Sequence, residues 1–316
     1  MTMSVLPQIV DWGILNDYGY WRYYEDKTLA FDGVGTIPGI KPQAEDLETD
    51  WNGYGDPIER RDQRPYKKYG KMASSIQFSR DTTEIGPYAF RNFSAVRSLT
   101  IPGHIRKIGD SAFLDCNGIT ELTVEDGVVD IQPFAFLGCE ALTTLRLPDT
   151  LQYLGDYCFV SCIGLREAVI PTSIDVLRKE LYMACSNLER VTIPSNIRDI
   201  CGGAFRNCSG LKQLLIQEGT ERIRIGAFQG CTSLETVSIP GTVKQIGRSV
   251  FEGCANLKNV FVSDGVGFIG LEAFANCPEL RYVSMPENLK SSDSMKRYGI
   301  PNEVVYYRTE ENQDGK

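Results

Sequence analysis

Ten cysteines and one histidine are the residues with the widest chemical reach in this chain of 316 residues. Thiolates bind zinc, exchange with disulfides or attack electrophiles, and each use demands a spacing. Eight of the ten, Cys116, Cys139, Cys162, Cys185, Cys208, Cys231, Cys254 and Cys277, recur every 23 residues. Zinc sites favour close pairs such as Cys-x-x-Cys, often with histidine, and here only Cys158 and Cys162 form a short pair, with three residues between them. The single histidine, His104, opens a repeated unit in a column that is otherwise polar and variable. It leaves no Ser-His-Asp or Cys-His arrangement, so a surface position is expected for it. A fixed column of small, soft side chains describes a structural ladder in which one thiol fills the same slot in each layer. Thiols stacked in parallel are poorly aimed for bridging, and unbridged thiols favour a reducing compartment.

Other constellations are weaker still. Gly33-Val34-Gly35 with Gly39 superficially suggests a phosphate loop, but neither Gly-x-Gly-x-x-Gly nor a Gly-Lys-Ser/Thr ending follows. No acidic residue recurs in one column in a way that pairs carboxylates across a cleft. No catalytic residue, metal or cofactor is therefore expected. With 33 basic and 41 acidic residues the formal charge is -8, which argues against nucleic acid or an anionic membrane as a general partner. Met1–Pro7 lacks a charged n-region followed by an apolar stretch, and no segment approaches 18 uninterrupted apolar residues. The chain thus reads as cytoplasmic, without membrane insertion.

The elements that position the cysteines emerge from self-similarity. Nine gap-free units of 23 residues run through residues 81–287. Their tenth position holds Phe90, Phe113, Phe136, Phe159, Tyr182, Phe205, Phe228, Phe251 and Phe274, and their fifth is Ile or Leu throughout, from Ile85 to Ile269. Two further apolar columns, Leu99 through Val283 and Ile101 through Met285, lie two residues apart. That offset is the period of a strand with one buried face, so segments such as Ser98–Ile101 and Thr236–Ile239 are expected to be strands. Pro follows the strand in six units and ends the ladder. The Ala-Phe-x-x-Cys arc fits one helical turn. A single unit cannot bury its own apolar residues, and stacking buries them in a continuous core.

Units reading Ile-Gly-x-x-Ala-Phe-x-x-Cys-x-x-Leu-x-x-Val-x-Ile-Pro, nearly complete in residues 108–124 and 269–286, resemble the BspA-like class of leucine-rich repeats. The resemblance implies a leucine-rich-repeat solenoid, mainly β with short helical turns, of nine 23-residue repeats plus terminal caps. It extends to the flanks: Trp21–Gly35 is similar to the hairpin-like module that precedes such repeats, with Asp26 and Lys27 as its turn. Met295–Ile300 and Val304–Tyr307 resemble a closing helix and final strand. The organisation expected is an aromatic-rich capping module at 1–80, the solenoid at 81–287, a cap at 288–309 and a flexible tail at 310–316. The family implies adhesion and protein binding, often in secreted or cell-surface proteins, a setting at odds with the absence of a signal peptide here. The fifth unit departs from the pattern with Arg178, Leu181 and Tyr182 in place of Gly, Ala and Phe, and a bent or wider turn is expected there.

Residues 1–80 hold all three tryptophans and seven of fifteen tyrosines. Large aromatic rings that cover the first repeat explain this composition. A basic stretch, Arg60, Arg61, Arg64, Lys67, Lys68 and Lys71, encloses Tyr66 and Tyr69, an interleaving also used for nucleic acid. Residues 46–62 are expected to form a long exposed loop.

Two function classes remain, a scaffold that binds a protein or glycan on its exposed strands and a non-enzymatic component of a larger assembly. The outward column between the two buried ones reads Thr100, Thr123, Arg146, Val169, Thr192, Leu215, Ser238, Phe261 and Ser284. Thr and Ser suit a solvated strand. Val169, Leu215 and Phe261, each 46 residues apart, with Tyr282 beside Phe261 and Arg166, Lys212, Lys258 and Arg281 as a basic flank, define a partner-binding row. The competing reading is that isolated exposed apolar residues are normal on any protein and need no function, or that the repeats alternate between two sequence types.

Overall fold

The computed structural model describes residues 7–16, 19–33, 35–39 and 64–301. The chain is a leucine-rich-repeat solenoid and divides into two compact units, Met1–Gly164 and Leu165–Lys316. Arg60 and Arg61, the loop expected at 46–62, the strand expected at Val304–Tyr307 and the tail lie outside the described residues.

The first unit opens with strands β1 (Ile9–Asn16), β2 (Gly19–Tyr24), β3 (Thr28–Gly33), β4 (Gly35–Ile37) and β5 (Ser75–Phe78). β1, β2 and β3 pair antiparallel in sequence, and β5 joins β3 in parallel. The β2–β3 turn takes three residues, with Lys27 left-handed at φ 65° and its amide donating to the Tyr24 carbonyl. This is the geometry a three-residue hairpin requires. Phe31 and Tyr66, both buried, pack on Phe90 of the first repeat with ring centroids 5.2 and 6.0 Å apart, so aromatic rings do cover the first layer.

Each unit then carries parallel ladders of two kinds, and in the second unit the long strands form two sheets, one of Arg190–Ile193 with Gln213–Ile216 and one of the three strands from Thr236 to Ser284. The strands foreseen in the sequence form the first kind: Ser98–Ile101, Glu121–Val124 and Thr144–Arg146 in the first unit, and Arg190–Ile193, Gln213–Ile216, Thr236–Ile239, Asn259–Val262 and Tyr282–Ser284 in the second. Pairing runs residue to equivalent residue, as in Leu99↔Leu122 and Val237↔Val260. The second kind is made of strands mostly two residues long, such as Lys107–Ile108 and Arg222–Ile223, each ending on the fifth-position Ile or Leu.

The Ala-Phe-x-x-Cys arc holds no regular helix. Asn92, Asp115 and Asn207 in these arcs are left-handed, at φ 65°, 58° and 60°, a conformation that Asn, Asp and Gly tolerate best. Alternating handedness turns amides toward the adjacent layer. The Phe113 amide reaches the Ala135 carbonyl at 2.8 Å and that of Phe205 reaches Ala227 at 2.8 Å. Backbone groups that one helical turn would leave unpaired are satisfied between layers instead. The fully buried rings stack in register, with centroids 5.1 Å apart for Phe90 and Phe113 and 5.4 Å for Phe205 and Phe228. Each such ring contributes roughly 1.5–3 kcal/mol by leaving water.

The closing helix spans Ser292–Tyr298, three residues ahead of the expected start. Ser291 sets this start by accepting the Ser294 amide at 3.1 Å, and Gly299, left-handed at φ 78°, ends it. The Arg297 and Tyr298 carbonyls receive the Glu272 and Phe274 amides, so the helix continues the interlayer bonding past the last repeat.

Candidate functional site

The outward column of the second unit falls into two paired sets, Thr192↔Leu215 on one sheet and Ser238↔Phe261↔Ser284 on the next. Their neighbours along the strand, Val191, Val237, Val260 and Ile216, are buried, so alternation drives residues 215 and 261 outward. Leu215 is 55 % exposed and Phe261 38 %. Tyr282, half-buried on the last strand, meets Phe261 with ring centroids 5.3 Å apart and planes tilted by 47°.

Val169 does not belong to this row. Its repeat forms a single bridge, Glu167↔Arg190, in place of a strand, and Val169 is half-buried. Two residues account for the change. Ala168 stands where the other repeats place Leu or Val, which weakens the strand's hold on the core. Tyr182, fully buried where other repeats have Phe, needs a partner for its hydroxyl and donates to the Val169 carbonyl at 2.5 Å. The expected departure in the fifth unit is therefore registered in the preceding strand.

Of the flanking cations Arg166 and Arg281 are exposed, Lys258 is half-buried, and these three are matched. Arg166 pairs with Glu189 at 2.6 Å, Lys258 with Glu235 at 3.0 Å and Arg281 with Glu279 at 2.9 Å. Lys212 is exposed as well. Three of the four charges thus have a carboxylate beside them, and the flank is much less basic than its sequence suggests. Such exposed pairs add about 0–1 kcal/mol each to stability.

All eight ladder cysteines are buried, and all ten are free thiols. Their sulfurs point at main-chain oxygens of the preceding layer: Cys116 Sγ donates to the Phe90 carbonyl at 3.0 Å, Cys208 to Tyr182 at 3.1 Å and Cys277 to Phe251 at 3.2 Å. Burial pushes the Cys116, Cys231 and Cys277 thiols up to about 12. Thiolate chemistry is suppressed at these positions. Among the described residues no group of three or more His, Cys, Asp or Glu side chains could hold a metal ion, and no helix is long and apolar enough to cross a membrane. His104 is half-buried, not fully at the surface, because its Nε2 bonds the Ser79 carbonyl at 2.8 Å.

Sequence reasoning missed two surfaces. The short ladder of the second unit exposes Ile225, Phe268 and Leu271 and buries a carboxylate, Asp199, beneath Arg222 and Arg224 at 3.0 and 2.6 Å. In the first unit β1 turns Val10, Trp12 and Ile14 outward, at 59 %, 64 % and 70 % exposure. The alternation of Val10, Trp12 and Ile14 was the available signal, set two residues apart as on one face of a strand.

The profile of the BspA type leucine rich repeat region matches this sequence in six copies, over residues 66–189 and 177–296. A search of curated proteins finds no match. Among solved structures, a leucine-rich repeat protein from Eubacterium ventriosum superposes with a TM-score of 0.53 at 19% identity, over 87% of this chain and 78% of that one. The pneumococcal vaccine antigen PcpA superposes with a TM-score of 0.51 at 19% identity, over 95% and 94%. At such identities the likeness is one of fold.

Proposed function

Because this chain belongs to the BspA-type leucine-rich-repeat family, we propose that it is a non-enzymatic scaffold that captures a macromolecular partner on the long-strand face of residues 165–316. Such repeats are generally scaffolds. The observation that carries the reading is the exposure of Leu215 and Phe261 in a column whose other strand members within residues 165–316 are Thr192, Ser238 and Ser284. With Tyr282 they make an aromatic and aliphatic anchor set, the kind of residue that dominates binding energy at protein interfaces. The neutralised flank of Arg166, Lys258 and Arg281 fits a rim that shields such anchors without repelling either sign of charge. Affinity capture with the wild-type chain and a Leu215→Asp/Phe261→Asp variant, compared by quantitative mass spectrometry, tests the assignment. An adhesin-like role at the cell surface is the finer form of this proposal, and antibody access to the protein on intact cells tests it.

A second reading, a structural component of a larger assembly, is favoured by the apolar outer face of β1 with Val10, Trp12 and Ile14. Broad exposed apolar patches mark surfaces that become covered. Purification as a fixed-stoichiometry complex would support this reading over capture of an exchangeable partner.

A further inference from the structure

The basic stretch of the sequence resolves into something other than a stacking platform. Tyr66 and Tyr69 are buried and Arg64 turns inward, donating to the Tyr88 and Ala89 carbonyls at 2.7 Å each. Lys67, Lys68 and Lys71 remain exposed and form one bank of an open groove of about 590 Å³. The other bank is the turn edge of three successive repeats, contributing Arg91, Asn92 and Ser94, then Asp115 and Asn117, then Gly138 and Glu140. Equivalent points on adjacent repeats are about 5 Å apart, so the bank extends across a length suited to a linear ligand.

Three properties of the lining define that ligand. First, among the described residues its cations are Lys67, Lys68, Lys71 and Arg91, with Arg64 turned inward on main-chain carbonyls, against the carboxylates of Asp115 and Glu140 and of Asp11, which pairs with Lys68. In a chain of net charge -8 this is a local reversal of sign, which attracts anions. Lys68 is anchored by Asp11 at 2.7 Å and lies over the Tyr69 ring, which holds its charge in place. Second, among the described residues no aliphatic or aromatic side chain lines the groove, so these residues offer neither a pocket for an apolar peptide anchor nor a surface on which bases stack. Third, beyond the cations the lining becomes amide, hydroxyl and carboxylate, with Asn92, Ser94, Asn117, Asp115 and Glu140. Carboxylates repel a uniformly anionic strand but accept hydrogen bonds from hydroxyl groups. The ligand must therefore combine acid groups with many hydroxyls.

We propose that this groove binds an acidic polysaccharide, a linear chain of uronate- or sulfate-bearing sugars, whose acid groups lie among Lys67, Lys68, Lys71 and Arg91 and whose hydroxyls meet Asn92, Asn117, Asp115 and Glu140. Among the described residues the site is lined by 64–140 alone and does not depend on the face of residues 165–316.

Fluorescence anisotropy of the full chain with labelled octasaccharides of heparin and of hyaluronan tests the assignment, with a neutral dextran of equal length, a poly-glutamate peptide and a single-stranded oligonucleotide as competitors of other classes. At least one acidic octasaccharide binds saturably, and its binding weakens as NaCl rises from about 50 to about 300 mM. Lys67→Glu/Lys71→Glu lowers its affinity at least about tenfold, equivalent to about 1.4 kcal/mol, with an unchanged circular dichroism spectrum, and Lys244→Glu, at an exposed lysine outside both sites, leaves it unchanged. Should the double variant fold poorly, Lys71→Gln alters one exposed side chain and lowers the affinity in the same direction. Asp115→Asn/Glu140→Gln improves binding of poly-glutamate and the oligonucleotide relative to the sugar. Equal binding of dextran, no sensitivity to the lysine substitutions, or an oligonucleotide or poly-glutamate that binds as tightly as the sugar would each overturn the proposal.

Discussion

The hydroxyl of Tyr182 donates to the carbonyl of Val169 at 2.5 Å, a side chain of the fifth repeat bonding the main chain of the fourth across 13 residues. One oxygen atom thus occupies a carbonyl in the segment that every other complete repeat uses as a strand. In Tyr182→Phe the stacked ring remains, as in the other layers, while the Val169 carbonyl loses its donor. The expected loss is about 0.5–1.5 kcal/mol, read as a lower denaturant midpoint at unchanged slope. An unaltered midpoint would mean that water replaces the hydroxyl at no cost.

The cysteine ladder makes the protein sensitive to alkali. Burial raises the thiols of Cys116, Cys139, Cys158, Cys208, Cys231, Cys254 and Cys277 above their ordinary value. The folded state therefore holds protons that the unfolded chain releases near pH 8.5. Stability from these neutral thiols is whole below that pH and declines as pH rises toward the folded value, about 12 for Cys116. Denaturant melts between pH 7 and 10 should show the decline, and Cys231→Ala should make it shallower while lowering stability at pH 7. A thiol reagent applied to the folded chain should label few of the eight. Cys201, the one cysteine that is not fully buried, is expected to react first.

Asp199 acts at the opposite end of the pH scale. Its burial pushes the carboxyl pKa up, but hydrogen bonds and charge from Arg224 and Arg222 outweigh it, and the net displacement is downward. The folded state thus favours the carboxylate, so the contribution is present above about pH 4, the unfolded value, and fades as pH falls through the lowered folded value. Both arginines are about half exposed, which screens the pair, so Asp199→Asn should cost about 1–3 kcal/mol. The deficit should shrink in melts taken near pH 3; a constant deficit would assign the loss to packing.

What the sequence disclosed and what it hid follow from element length. Columns such as Leu99, Leu122 and Leu145, two residues from Ile101, Val124 and Leu147, carry a strand period that four residues suffice to reveal. The short ladder was legible only as an Ile or Leu column, because a strand of two residues such as Lys107–Ile108 shows no alternation. Left-handed Asn92 and Asp115 bond to the next layer, a relation absent from any single repeat, so the arc reads as a helical turn. For the candidate face, Leu215 and Phe261 were legible from alternation, whereas the displacement of Val169 depends on a hydroxyl 13 residues away, and the pairing of Arg166 and Lys258 with glutamates one layer away, and of Arg281 with Glu279 two residues back, depends on side-chain reach.

The central claim is that the long-strand face of residues 165–316 binds a partner through Leu215 and Phe261. Its most direct measurement is quantitative affinity capture with the wild-type chain beside Leu215→Asp/Phe261→Asp, each checked by thermal melting. Neither side chain is buried, so the variant should melt within a few degrees of the wild type. The account predicts that the partner recovered with the wild type falls at least about tenfold, about 1.4 kcal/mol of binding, in the folded variant. Recovery of the same partner in the same amount by the folded variant would contradict it.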